Sequence, residues 1–91
     1  MKEKFRIRDF LNKIKWDYRE KADDYVISYI SRGAPGDVEE ISGDLIKKVY
    51  TRGFETIEGK YIPFHRIIKI INNKSGEIIF ITKKYSFKIE K

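Results

Sequence analysis

The sequence predicts an α+β fold: an N-terminal helix packed on a bent antiparallel sheet of four to five strands, small enough to curl into a partial barrel. Three observations predict it. Helical periodicity occurs in a single stripe near the N-terminus. From Asp23 onward the apolar residues alternate or form β-branched runs. Short breaks rich in Gly, Pro and Asn separate those runs at intervals suited to hairpins.

The helix is expected over Phe5 to Ile14, where Ile7, Phe10, Leu11 and Ile14 recur at i, i+3, i+4 and i+7 and form one stripe. Trp16 is expected to close that stripe. Arg6, Arg8, Lys13 and Lys15 fall on the other faces, as a solvated surface or a track for a polyanion. The period then changes: Tyr25, Ile27 and Tyr29 alternate with Val26, Ser28 and Ile30, a strand pattern. Arg32-Gly33-Ala34-Pro35-Gly36-Asp37 breaks it, because two glycines and a proline cannot continue a ladder. The acidic stretch Asp37 to Asp44 has only Val38 and Ile41 as anchors and reads as an ordered loop with one helical turn. Ile46 to Thr51 and Phe54 to Ile57 read as strands around Arg52-Gly53, and Glu58-Gly59 as a two-residue turn leading to Tyr61. Ile67 to Asn72 and Glu77 to Lys83 form a second hairpin across Asn73 to Gly76. The run Ile78-Ile79-Phe80-Ile81 is apolar on both faces, as in a central strand. Tyr85, Phe87 and Ile89 alternate as a short edge strand.

Ninety-one residues with 41% apolar side chains suit one domain spanning 1–91 and leave no room for a second core or an enclosed cofactor cavity. The absence of cysteine excludes disulfides, thiolate catalysis and cysteine-bound metals. A single histidine, His65, excludes a self-contained His-rich metal site. Asp9, Asp17, Asp23 and Asp24 follow no metal-loop spacing, so neither metal nor cofactor is expected. No apolar run reaches the length of a membrane span and the N-terminus lacks a signal-peptide core, so the chain reads as soluble and cytoplasmic. Abundant Lys and Ile, with no Gln, fit a hot-living source or an AT-rich genome equally. The net charge of +6 is concentrated: residues 60–91 carry eight basic and two acidic side chains, while residues 1–59 are balanced. Concentrated positive charge attracts polyanions, although solubility alone accounts for it as well.

Candidate chemistry gathers at two breaks. In Pro63-Phe64-His65-Arg66 the proline interrupts the ladder and starts a tight turn before the strand at Ile67. Arg66 offers a rigid fork for two phosphate oxygens and His65 one further donor, which suits a phosphate diester or a cyclic phosphate monoanion. The competing reading is a histidine bonded to a carbonyl and an arginine paired with an acid such as Asp17. In Arg32-Gly33-Ala34-Pro35-Gly36, glycines can bring backbone donors to an anion and Arg32 can converge with Arg66. No Lys-Ser or Lys-Thr follows, so this is not a P-loop. Lys60 opens the basic C-terminal part and joins the phosphate-binding set. Tyr29 and Tyr25 can stack on a base if their face of the strand is open.

Three stretches, taken in order and spacing, carry a resemblance: Ile7-Arg8-Asp9-x-Leu11-Asn12-x-Ile14-x-Trp16-Asp17, Tyr25-x-Ile27-x-Tyr29-x-x-Arg32-Gly33, and Ile62-Pro63-Phe64-His65-Arg66-Ile67. Together they resemble an archaeal family of small proteins, the RNA cyclic group end recognition domain. That domain also occurs fused to RNA-processing domains and has been proposed to recognise RNA ends bearing a cyclic phosphate. The resemblance covers about residues 5–82 and leaves the basic tail 83–91 outside. It implies RNA ends as partner; the residues expected to take a terminal phosphate, cyclic or linear, are Arg32, Gly33, Lys60, His65 and Arg66, with Tyr29 stacking on the last base. An RNA-processing protein is a further implied partner; the oligomeric state stays open. Acid–base cleavage ordinarily needs two tuned groups and one histidine is present, so binding is favoured over catalysis. The alternatives are a phosphoesterase-like enzyme acting through His65 and a protein-interaction adaptor without an RNA role.

Overall fold

The computed structural model describes residues 6–82; the strand expected at Tyr85 to Ile89 lies outside them. One helix, α1 (Ile7–Trp16), precedes seven strands: β1 (Tyr25–Ile30), β2 (Val38–Ser42), β3 (Ile46–Val49), β4 (Gly53–Thr56), β5 (Tyr61–Pro63), β6 (Ile67–Asn72) and β7 (Ile78–Ile81). The fold is α+β, with a correction to the expected single sheet. The strands divide into a four-stranded antiparallel sheet, ordered β2-β1-β6-β7, and a three-stranded one, ordered β3-β4-β5. Neither closes, so the partial barrel is also corrected.

The stripe on α1 delivers Leu11 and Ile14 to a core shared with Tyr25 and Ile27 of the first sheet and Ile46, Phe54 and Ile62 of the second. Phe10 meets the Tyr25 ring edge-on at 5.3 Å. Leu11, Ile27, Phe54, Ile62 and Ile70 are fully buried, and each contributes on the order of 1.5–3 kcal/mol relative to an exposed side chain. Trp16 does not close the stripe. Lying roughly 200° around the helix from Ile14, it is 75% exposed, with the Lys15 ammonium 5.3 Å from its ring centre. Lys15 reaches on to the Ile46 carbonyl at 3.1 Å and ties the helix to β3.

The acidic stretch expected to be a loop is instead strand β2, paired Ile27 to Ile41 and Tyr29 to Glu39. Its pattern misleads because Glu39 takes an inward position at the sheet margin and Val38 an outward one. A cross-strand row Ile41–Ile27–Ile70–Phe80 forms the inner face of this sheet. The run Ile78–Ile81 is not central: β7 is an edge of the described sheet. A register shift opposite Ile70 and Ile71 lets both Ile79 and Phe80 pack on the core, which accounts for consecutive apolar residues on an edge strand.

The hairpins differ slightly from expectation. Thr51-Arg52 forms the β3–β4 tip, with Tyr50 N–H donating to the Gly53 carbonyl at 2.8 Å. The β4–β5 connection, residues 57–60, has four residues, not two. Gly59, at φ +93°, closes it by donating to the Thr56 carbonyl at 2.9 Å, a left-handed position suited to glycine. Lys60 N–H donates to the Thr56 hydroxyl oxygen at 3.1 Å, fixing the base of the Lys60 side chain.

Candidate functional site

Three connections place three cations together. Arg32 lies between β1 and β2, Lys60 between β4 and β5, and Arg66 ends a short 3₁₀ turn, Phe64–Arg66, before β6. All three line one cleft of about 280 Å³, together with Tyr29, Ser31, Tyr61 and Pro63. The cleft sits on the seam between the two sheets, not on an open sheet face.

The loop carrying Arg32 is closed from within. Ser31 N–H donates to the Asp37 carbonyl at 2.8 Å, Ala34 N–H to the Ser31 carbonyl at 3.2 Å, and Asp37 N–H to the Ala34 carbonyl at 2.7 Å. Asp37 itself holds φ +59°, a region aspartate enters more readily than most residues, and its carboxylate accepts the Gly33 N–H at 3.4 Å. The backbone donors of Gly33 and Ala34 are thus used inside the turn, and Gly33 does not line the cleft. The loop supplies the Arg32 side chain to the cleft. Pro63 acts as expected, ending β5 at φ −66° and leading into the turn that presents His65 and Arg66, both exposed. His65 adjoins Arg66 but does not line the cleft.

Tyr29 is placed differently from its expected stacking role. It is 5% exposed, so its ring belongs to the core and offers no face to a base; Tyr25, at 8%, is likewise buried. What Tyr29 brings to the cleft is its hydroxyl. That group donates to Glu39 at 2.8 Å and accepts from the Lys60 ammonium at 3.4 Å, while Lys60 also binds Glu39 at 3.1 Å. The Lys60 nitrogen lies 5.3 Å from the centre of the Tyr29 ring. The charges lock one another. Hydrogen bonds from Tyr29 and then Lys60 hold the Glu39 carboxyl below its ordinary range. The Glu39 bond, then that to Tyr29, holds Lys60 above its own. Burial, reinforced by Glu39, pushes the Tyr29 phenol up. At neutral pH the trio is a carboxylate, an ammonium and a neutral phenol.

The side chains of Arg32, His65 and Arg66 make no ion pair or hydrogen bond with another described residue. Asp17, the expected alternative partner of Arg66, is instead taken by Arg19 at 3.2 Å, and those hydrogen bonds lower the Asp17 carboxyl. With Lys60 balanced by Glu39, two guanidinium groups without an acidic partner among the described residues face the cleft, a match for one phosphate group.

Two contributors are absent from the sequence-predicted set. Glu39 was hidden in the misread strand. Tyr61, 50% exposed, alternates with buried Ile62 and so could have been found as the outward residue of β5.

A family profile described as the MJ1316 RNA cyclic group end recognition domain matches residues 1–81. The chain belongs to that family. Among curated relatives of the family, a UPF0248 protein of Methanococcus maripaludis is 39% identical over 74 residues, covering 81% of this chain and 95% of its own. One from Methanocaldococcus jannaschii is 38% identical over 81 residues, covering 87% and 96%. One from Thermococcus kodakarensis is 37% identical over 78 residues, covering 86% and 93%. No solved structure matches the chain. The cleft residues from Tyr29 to Arg66 all lie within the span shared with the family profile. None of the described helices of this family member is long and apolar enough to cross a membrane.

Proposed function

We propose that the chain binds the phosphate-bearing end of an RNA in the cleft formed by Arg32, Lys60 and Arg66, with the Tyr29 hydroxyl at its wall and His65 adjoining Arg66 outside its lining. The observation that carries this reading is the convergence of three cations from three separate connections, two of them without an acidic partner among the described residues. The description of the family's domain supports RNA ends as the ligand class. Guanidinium forks bind phosphate oxygens in pairs, and a small cleft admits a chain end more readily than the middle of a duplex.

Preference for the cyclic ester cannot come from charge, since a linear terminal phosphate is close to −2 at neutral pH and the cyclic ester is a monoanion. It has to come from shape and from the absence of a further oxygen to solvate. An enzymatic reading needs His65 to reach the same phosphate as Arg66. The imidazole stands outside the cleft lining, so binding is the better-supported reading, in RNA processing or repair, where such ends arise. A protein-adaptor role has no comparable convergence of side chains behind it.

The test is fluorescence-anisotropy titration of one short RNA bearing a 3′ hydroxyl, a linear phosphate or a cyclic phosphate, with product analysis afterwards. End recognition predicts tighter binding of phosphate-bearing ends and loss of that preference in Arg66→Ala and Arg32→Ala. Equal affinity for all three ends, unaffected by either substitution, overturns it. Accumulation of linear product from the cyclic end, lost in His65→Ala, would replace binding by catalysis.

A further inference from the structure

Beside the phosphate cleft lies a second, shallower one of about 610 Å³, lined by Tyr50, Thr51, Arg52, Glu55, Gly59 and Tyr61. Tyr61 belongs to both clefts. We propose that Tyr61, with Tyr50 as a side wall, is a stacking platform for the unpaired nucleobase next to the bound phosphate. The proposal rests on the RNA-end reading and extends it from the phosphate to the base.

The geometry of the two rings supports a platform. Their centres are 6.1 Å apart and their planes are inclined at 57°, so they do not stack face to face on one another. Tyr61 is 50% exposed and Tyr50 40%, in a molecule whose other strand tyrosines, Tyr25 and Tyr29, are buried. Tyr50 is held at both ends: its hydroxyl donates to Glu55 at 3.1 Å and the Lys48 ammonium stands 5.4 Å from its ring centre. Tyr61 carries no cation on its ring among the described contacts and is the ring available to a base.

Gly53 sets the pose of that ring. A Cβ at position 53 would lie 2.5 Å from both Cζ and Oη of Tyr61 and 2.7 Å from the Ile62 carbonyl oxygen. The ring therefore lies across β4 on the one residue without a side chain, pressed to the backbone on one side and open on the other. Every base presents a π-face, so such a surface tolerates sequence while requiring a single strand. Arg52 at the lip of the cleft and Lys48 beside Tyr50 supply the positive charge that accompanies a nucleotide chain. Glu55, the one carboxylate lining this cleft among the described residues, is engaged by the Tyr50 hydroxyl.

The test uses the full chain and a short RNA ending in a cyclic phosphate, with a fluorescent adenine analogue as its terminal base, beside the same RNA with an abasic terminal residue. Binding should quench the analogue. Tyr61→Leu should abolish the quenching and weaken binding of the base-bearing RNA by about tenfold, within the range of one base–aromatic stack. Tyr61→Phe should retain both. The abasic RNA should bind the unsubstituted protein and Tyr61→Leu alike. If Tyr61→Leu leaves affinity and quenching unchanged while Arg66→Ala still weakens binding, the platform is wrong and end recognition stands. If neither substitution matters and all ends bind equally, both fail. Should Tyr61→Leu not fold, as judged by circular dichroism, the quenching and abasic comparisons on the unsubstituted protein decide: an unquenched base, or equal affinity for abasic and base-bearing RNA, overturns the platform.

Discussion

Salt dependence separates a phosphate-end site from a merely basic surface, and its size follows from the charges in the cleft. Arg32, Lys60 and Arg66 line it, but Lys60 is already paired with Glu39 at 3.1 Å. Two cations without an acidic partner among the described residues remain, enough for one terminal phosphate and at most its neighbour. For single strands the slope of log affinity against log salt is about −0.7 per phosphate neutralised. A rise from about 50 to about 200 mM salt should then weaken binding about 2.6-fold for one phosphate and about sevenfold for two. If the whole net charge of +6 engaged six phosphates, the same rise would cost about 340-fold. Anisotropy titrations of the cyclic-phosphate RNA across this salt range read the difference directly. Arg66→Ala should remove charge-assisted hydrogen bonds that contribute about 1.5–3 kcal/mol, a loss of about ten- to 150-fold. A slope near −4 that is the same for all three RNA ends, with Arg66→Ala unchanged, would refute the placement of the phosphate in this cleft.

Other consequences of the structure can be checked on the protein alone. Phe54 is fully buried at the meeting point of helix and sheets, so Phe54→Ala should cost about 3–5 kcal/mol in denaturant unfolding; a loss below about 1 kcal/mol would contradict its position. The Glu39 carboxyl is held low in the folded chain by Tyr29 and Lys60. The stability it contributes is therefore complete above the ordinary carboxylate range and is lost as pH falls through the depressed folded value. Glu39→Gln should flatten that acid limb in thermal melts and, by releasing Lys60, strengthen binding of the phosphate end; an unchanged acid limb would speak against the trio. At Gly43 an added Cβ would lie 2.5 Å from the Ala22 carbonyl oxygen and 3.1 Å from Ile14 Cδ1. Gly43→Ala should accordingly destabilise by about 1–3 kcal/mol, and a neutral melting temperature would show that this approach is looser than described.

The local pattern of side chains revealed the helix and most strands, because burial on one face imposes a period that can be read one segment at a time. Ile7, Phe10, Leu11 and Ile14 gave α1, and Tyr25, Ile27 and Tyr29 gave β1. Pairing is not local, and there the reading stopped. Nothing in the alternation of Phe54 with Glu55, or of Tyr61 with Ile62, says that these residues belong to a separate sheet of three strands. Strand β2 was missed for a different reason. Glu39 occupies an inward position because a buried phenol needs its carboxylate, so a polar residue sits where the period requires an apolar one. Register shifts do the converse: in the interior strand β6 the consecutive Ile67 and Ile68 are both buried, and in the edge strand β7 both Ile79 and Phe80 pack on the core. At the site, Arg32, Lys60 and Arg66 were legible as phosphate-binding types, but their convergence depends on three connections meeting at one seam. Tyr29, expected to offer its ring to a base, is buried, and Tyr61 is the exposed ring.

The seam location has a consequence for how the site works. Lys60 lies in the β4–β5 connection of the three-stranded sheet, while Tyr29 and Glu39 belong to strands of the four-stranded one, so one ammonium both joins the sheets and faces the cleft. Both side chains of the Lys60–Glu39 pair are open to solvent, 47% and 42% exposed, and ion pairs so exposed contribute little to stability. A phosphate can therefore draw on Lys60 without undoing the fold, whereas Arg32 and Arg66 have no described partner to leave. On the proposed reading the two arginines would supply most of the affinity and Lys60 would adjust it, because its attraction to the ligand would be measured against Glu39. Substituting Lys60 by methionine should then weaken phosphate binding less than Arg66→Ala does. It should also strip Glu39 of one of the two partners that hold its carboxyl low, moving the acid limb of stability toward the ordinary carboxylate range. Observing the two effects together in one variant would tie the chemistry of the cleft to the junction of the sheets; an affinity loss exceeding that of Arg66→Ala would instead make Lys60 the principal phosphate ligand.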